Sequence, residues 1–312
     1  MKIGYIFPGQ GTQVIGMGKD IYDKYEEARN VYKIIDNELN ESIEKLTYEA
    51  SQDELNKTEN TQIAIYAMSM AILEILKSRG INPCVAAGLS LGEYSALTCA
   101  GVIDLKEGAK IVRQRGRLMQ NLAPEGNWAM AAIIGLEDEK VEEACSKVTN
   151  GFVKAVNYNC PGQVVVSGEK DAVLQVMDIA KELGAKRDIE LKTSGPFHTE
   201  KLKKASEELR KELEKINFKN FDIPVIKNFN GEEYGKEDNM IELLSNHVII
   251  PVKFGKSIQT MINMGVDTFV EIGPGKTLSG FVKKVCKADG IDLNVINIEN
   301  LEGLENALEI LK

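Results

Sequence analysis

The sequence predicts an α/β fold: a mostly parallel sheet covered by helices on both faces, with a small βαββαβ unit inserted into it. Three observations lead there. Short apolar runs alternate with helical patterns towards both ends of the chain. Between Asn127 and about Thr193 the order changes to a compact, strand-rich set. The chain has 312 residues, 43% hydrophobic and 27% charged, enough for one large core or a core domain carrying a smaller one.

In chain order, KIGYIF reads as a buried strand that closes at the turn-rich FPGQGTQ. A mainly polar helical stretch runs from about Asp20 to Asn40. Between Thr61 and Ser78, Ile63, Tyr66, Ala67, Met70, Leu73 and Leu76 recur at three- and four-residue spacing, one face of a helix that Gly80 closes. CVAAG is a short apolar strand, and LSLGEYSALTCAG starts a helix at about Leu91, which leaves Ser90 at the junction.

The inserted unit reads as NWAMAAIIGL (strand), Glu137 to Lys147 (helix), FVKAVNYN and QVVVSGE (strands about Pro161 and Gly162), Lys170 to Leu183 (helix) and AKRDIELK (strand). The order βαββαβ is that of the split βαβ, ferredoxin-like unit. Turns at Pro124 to Gly126 and at Ser194 to Pro196 bound it, giving a small domain over 127–195 and a main domain over 1–126 and 196–312. The chain resumes with an amphipathic helix bearing Leu202, Ala205, Leu209, Leu213 and Ile216, then IPVI, then TFVEIG running into the turn PGK. Alternating strands and helices imply parallel pairing.

Composition narrows the function. A net charge of −9 disfavours nucleic acid, which needs a concentrated basic surface. The apolar run before Pro8 is too short for a signal segment or a membrane span, so a cytoplasmic protein with no membrane association is expected. Five cysteines form no CxxC pair, and with only two histidines neither a disulfide framework nor a metal site is expected. The cysteines read as small buried residues.

AGLSLGE carries GxSxG at Gly88, Ser90 and Gly92, in the strand-turn-helix setting of a nucleophile elbow. Small residues on either side of the serine let strand and helix approach closely, and the free N–H groups of the helix start favour developing negative charge. An N-cap serine in a glycine-rich turn is the plainer alternative. A serine nucleophile needs a base within hydrogen-bond reach, and the chain offers only His198 and His247.

GLSLGEYSALTCAGVI, FPGQGTQVIGMG, IVRQRGRLMQ, MAAIIGL, NYNCPGQVVVSG and EIGPGKTL, six blocks spread over nearly the whole chain, together resemble the malonyl-CoA:acyl-carrier-protein transacylases. The resemblance implies an α/β-hydrolase-like core with a ferredoxin-like insert. It implies a malonyl group carried from malonyl-CoA, through a serine ester, to the phosphopantetheine thiol of an acyl carrier protein for fatty acid synthesis, with no cofactor. By the same resemblance Ser90 is the nucleophile and His198, in SGPFHTE, its base. His247 matches a polar position, commonly Gln, whose backbone carbonyl orients that base, so no carboxylate is required. The N–H groups of Gln10 and Leu91 match the oxyanion hole. Arg115 matches the arginine that pairs with the malonyl carboxylate; by residue type alone it is no better than Arg113 or Arg117. Gln62 matches a further active-site position, although Ile63 replaces the proline usual beside it. Phe197 matches the bulky ring of malonyl-selective members, a discrimination worth about 1–3 kcal/mol. Leu89 departs from the family, where histidine commonly precedes the nucleophile.

Carrier proteins of this kind are acidic, so Lys181, Lys186, Arg187, Lys201 and Lys204, near the proposed base, form a candidate docking face. Three other functions share the motifs: a free-standing acyltransferase of a polyketide synthase, a serine thioesterase or esterase, and a noncatalytic carrier-binding module. The GPGK turn at Gly273 to Lys276 lacks phosphate-loop spacing and reads as a strand-to-helix turn near the cleft.

Overall fold

The computed structural model describes residues 1–192 and 195–311. Among the described residues nine strands form two sheets: β1 (Ile3–Phe7), β2 (Val85–Gly88), β3 (Trp128–Ile134), β4 (Val153–Cys160), β5 (Gln163–Glu169), β6 (Arg187–Glu190), β7 (Val225–Ile226), β8 (Thr268–Ile272) and β9 (Asn294–Ile298). The first sheet has the order β7-β2-β1-β8-β9 and is parallel throughout. From β1 the chain builds outward to β2 and β7, then returns to add β8 and β9 on the other side. A crevice is expected beyond the carboxyl ends of the strands at such a reversal.

Side-chain alternation explains why both faces are covered. Tyr5 and Phe7 of β1 enter one apolar core with Val270 and Ile272, whereas Ile6 enters the opposite core with Val85, Ala87 and Phe269. The second sheet, order β4-β5-β3-β6, is antiparallel, the strand order of a split βαβ unit. Ala131, Ile133, Val164 and Val166 pack under the helices Asp138–Ser146 and Lys170–Glu182, while Met130, Ala132 and Val165 face the main core. The exit turn expected at Ser194 to Pro196 lies partly outside the described residues.

Two features differ from the sequence reading, the first of them for a local reason. The expected helix from Asp20 to Asn40 is broken into Lys19–Lys24 and Glu26–Leu39 by Tyr25, whose extended backbone ends one helix and caps the next. Of the cysteines, Cys99, Cys160 and Cys286 are buried, but Cys84 is exposed and Cys145 half-buried. Among the described residues no helix is long and apolar enough to cross a membrane.

Candidate active site

The register Phe7↔Gly88 brings the ends of β1 and β2 level. The loop after β1 therefore lies against the turn after β2. Close approach leaves no room for side chains: a Cβ on Gly88 would sit 1.9 Å from the Gly92 carbonyl oxygen, and one on Gly92 would sit 2.1 Å from that of Phe7. Ser90, between them, has φ of 53° and precedes the helix Gly92–Cys99. His198 has φ of 59°, and Asn40 is the remaining non-glycine at positive φ among the described residues. Asn40 is an ordinary left-handed helix end. Backbone strain of about 1–3 kcal/mol per residue is thus held at the two residues the sequence singles out.

Those two residues meet. Ser90 Oγ lies 2.9 Å from His198 Nε2. On the far side of the ring, Nδ1 donates to the carbonyls of His247 at 2.9 Å and Ile250 at 3.1 Å. Carbonyls only accept, so the ring proton sits on Nδ1 and Nε2 presents its lone pair to the serine. Burial, reinforced by the charge of Arg115, brings the His198 imidazole down to about 4, so it is neutral at pH 7. The 250–252 segment is itself clipped to β4: Tyr158 donates its N–H to the Val252 carbonyl, and Val252 donates to that of Val156.

Arg115 reaches the same serine from the helix Leu105–Asn121. This helix crosses Thr58–Ser78 closely, because Gly108 and Gly116 face it: Cβ atoms there would lie 2.0 Å from Tyr66 Oη and 2.8 Å from Glu59 Cα. The crossing places Arg115 Nη1 2.6 Å from Gln62 Oε1 and Nη2 3.0 Å from Ser90 Oγ. The guanidinium is fully buried, its Nε has no partner, and among the described residues no carboxylate forms an ion pair with it. Arg113 and Arg117 differ, since both pair with Glu41. An unpaired buried cation beside a serine hydroxyl is chemically suited to take up an anionic group.

The remaining expected positions have the following surroundings. Leu91 directly follows Ser90 at the helix start, and the Gln10 side chain donates to Thr58 Oγ1 at 3.2 Å. Neither the Gln10 nor the Leu91 N–H bonds to a protein acceptor among the described residues. Phe197 is buried, with its ring against Gly195. Lys181 pairs with Asp178 and Asp188, Lys201 lies over the Phe152 ring, and the Lys186 stem packs on Gly135.

Two residues of the site escaped the sequence reading. Asn228 follows β7; its Oδ1 accepts from the Ser90 N–H at 2.7 Å and its Nδ2 donates to the Gly88 carbonyl at 2.6 Å. Glu93 accepts from the Asn228 N–H at 3.1 Å and from Tyr234 Oη at 2.8 Å, with Oε2 3.1 Å from His247 Nδ1. Burial pushes Glu93 up to about 7 and holds His247 well below the usual imidazole range, so the contact is not an ion pair between full charges. The signals were the one charged side chain of the helix Gly92–Cys99, and an amide just past the carboxyl end of a parallel strand.

The acyl transferase domain family matches residues 4–309. The malonyl CoA-acyl carrier protein transacylase of Bacillus subtilis (strain 168) is 42% identical over 313 residues, covering 100% of this chain and 98% of that protein. The enzyme of the same name from Staphylococcus aureus (strain MRSA252) is 38% identical, with 97% of each covered. Among solved structures, the malonyl CoA-acyl carrier protein transacylase of Clostridium perfringens superposes with a TM-score of 0.94 at 44% identity, covering 100% of this chain and 97% of that one. A malonyl-transacylase in complex with a type II PKS acyl-carrier protein also gives 0.94, at 36% identity, covering 99% and 100%.

Proposed function

The chain belongs to the malonyl CoA-acyl carrier protein transacylases of the acyl transferase family, and from that premise we propose how its residues carry malonyl from coenzyme A to an acyl carrier protein. The observation that carries the reading is the shared serine oxygen: Ser90 Oγ accepts from Arg115 Nη2 and faces His198 Nε2.

Malonyl-CoA enters with its free carboxylate against the Arg115 guanidinium, which Gln62 holds in place. Ser90 Oγ attacks the thioester carbonyl while its proton passes to His198 Nε2. The oxyanion is met by the N–H groups of Gln10 and Leu91. Collapse breaks the C–S bond, and His198 returns the proton to the departing coenzyme A thiolate. The malonyl-serine ester then takes the phosphopantetheine thiol of the carrier protein by the same steps in reverse. The His247 carbonyl, with that of Ile250, keeps the ring in the required tautomer throughout. Phe197 narrows the pocket beside the α-carbon. No cofactor enters these steps.

The same reading divides the chain into a catalytic domain (1–126 and 196–312) and a small domain (127–195), working in the cytoplasm. It places the acidic carrier protein near Lys186, Arg187, Lys201 and Lys204; Lys181 contributes less, since two aspartates already neutralise it. Initial rates with both substrates varied test the reading: parallel double-reciprocal lines are expected for a ping-pong enzyme, whereas intersecting lines, or turnover into water without carrier protein, contradict it. A carrier of type II polyketide synthesis is a second reading, favoured by the likeness to the transacylase solved with such a carrier. A tenfold preference between fatty-acid and polyketide carriers would decide between them.

A further inference from the structure

We propose that Glu93 is a positioning residue that ties the nucleophile and its base together through Asn228 and His247. The inference rests on the roles proposed above for Ser90 and His198, and concerns what holds those two residues at 2.9 Å.

The elbow is strained and short of local support. Ser90 sits at positive φ, and its N–H lies at the turn, outside the helix that follows. That N–H is taken by Asn228 Oδ1, whose amide also donates to the Gly88 carbonyl. One side chain from β7's far end therefore holds the two consecutive peptides on either side of Leu89, just before the nucleophile. Asn228 is fully buried, and its own backbone N–H is held by Glu93 Oε1. A single oxygen of Glu93 thus fixes the residue that fixes the nucleophile.

The other oxygen faces the base. Glu93 Oε2 is 3.1 Å from His247 Nδ1, an approach that is not aligned as a hydrogen bond, and the His247 carbonyl accepts from His198 Nδ1. The His198 and His247 rings lie 5.4 Å apart. Tyr234 donates to Glu93 Oε1 and completes the anchorage from the segment after β7. Glu93 lies on the helix that begins two residues past Ser90, so helix, β7 segment and His247 turn converge on one buried carboxyl. A shift of that carboxyl moves both reacting atoms, and misplacement by about 1 Å costs on the order of 10²-fold in such steps.

The test is the single-turnover rate of malonyl transfer onto Ser90 from malonyl-CoA, measured in the full chain by rapid quench and intact mass, per titratable site. The variants are Asn228→Ala, Tyr234→Phe, Glu93→Leu and Glu93→Gln. Asn228→Ala and Glu93→Leu are expected to lower the saturated loading rate about 10- to 100-fold, with half-saturation by malonyl-CoA within about twofold of the parent, because Arg115 is untouched. Glu93→Gln, which keeps an acceptor, is expected to recover most of the rate, and Tyr234→Phe to lie between. The double variant Asn228→Ala/Glu93→Leu is expected to lose less than the product of the single losses. Unchanged loading per site in Asn228→Ala, a weakened half-saturation at full rate, or fully multiplicative losses would each overturn the proposal. Should Glu93→Leu fail to fold, Asn228→Ala, Tyr234→Phe and Glu93→Gln carry the same test. Parent protein that gains no adduct at Ser90 would refute the proposed function instead, so the two failures are distinct.

Discussion

Replacing Arg115 with methionine should invert acyl preference without weakening the fold. The guanidinium is buried, held by Gln62 and Ser90, and lacks a carboxylate among the described residues. A malonyl carboxylate docked there gains charge-assisted hydrogen bonds of about 1.5–3 kcal/mol each. Leaving that carboxylate buried without its partner costs about 3–5 kcal/mol. At 1.4 kcal/mol per factor of ten, malonyl kcat/KM should fall on the order of 10²- to 10⁴-fold. Acetyl carries no carboxylate and forfeits none of this, so its kcat/KM should hold or rise. Exchanging the unpaired buried cation for an apolar side chain of similar length relieves its desolvation while leaving the Gln62 oxygen without its donor, so the two effects oppose each other and Tm should change little. Steady-state rates with malonyl-CoA and acetyl-CoA on one carrier protein, beside thermal unfolding, read all three quantities. Equal losses for both acyl groups, or malonyl preference retained, would refute the assignment of Arg115.

With His198 brought down to about 4, Ser90 acylation should keep its rate as pH falls through 6.5 and lose it only near pH 4, where the imidazole takes a proton and no longer accepts the serine's. Arg115→Met removes a positive neighbour that disfavours the imidazolium, so the acid limb measured with acetyl-CoA should move up; a limb near 6.5 in the parent contradicts this. Gly88→Ala forces a Cβ to 1.9 Å from the Gly92 carbonyl oxygen, with only backbone to yield. It should cost about 3 kcal/mol, the upper end of the usual range for overpacking, read as a lowered Tm, and an unchanged Tm would deny the tight elbow. Phe197→Ala should raise methylmalonyl use relative to malonyl by about 1–3 kcal/mol, measured as competing kcat/KM values, and no change would remove Phe197 from selectivity. Lys186→Glu with Arg187→Glu should weaken carrier-protein use at low salt and spare loading from malonyl-CoA; equal effects on both half-reactions would exclude that docking face.

What the sequence makes legible is what local chemistry dictates. The elbow follows from Gly88 and Gly92 about Ser90, and the strand-helix order of the insert follows from runs of period two and 3.6. Nothing local separates Arg115 from Arg113 and Arg117, since the difference is made by Glu41, far away in the chain, which pairs with the other two. Asn228 and Glu93 carry weak local signals, and their roles are set by hydrogen bonds between residues 135 or more apart in the chain. The resemblance to a known family supplied His198 over His247, and in the structure it is the His198 ring that faces Ser90, with its far nitrogen held by two carbonyls. The break at Tyr25 went unseen because the six-residue helix before it is too short to show a stripe of its own, and the stripe of Ala28, Val31, Tyr32 and Ile35 begins only after it.

The most direct test of the central claim is intact-mass spectrometry of the chain mixed with malonyl-CoA, with Ser90→Ala alongside, followed by addition of carrier protein. A malonyl adduct that requires Ser90, exceeds loading from acetyl-CoA and passes to the carrier thiol is the predicted result. Release of coenzyme A with no adduct on the protein, or an adduct that survives in Ser90→Ala, would contradict it.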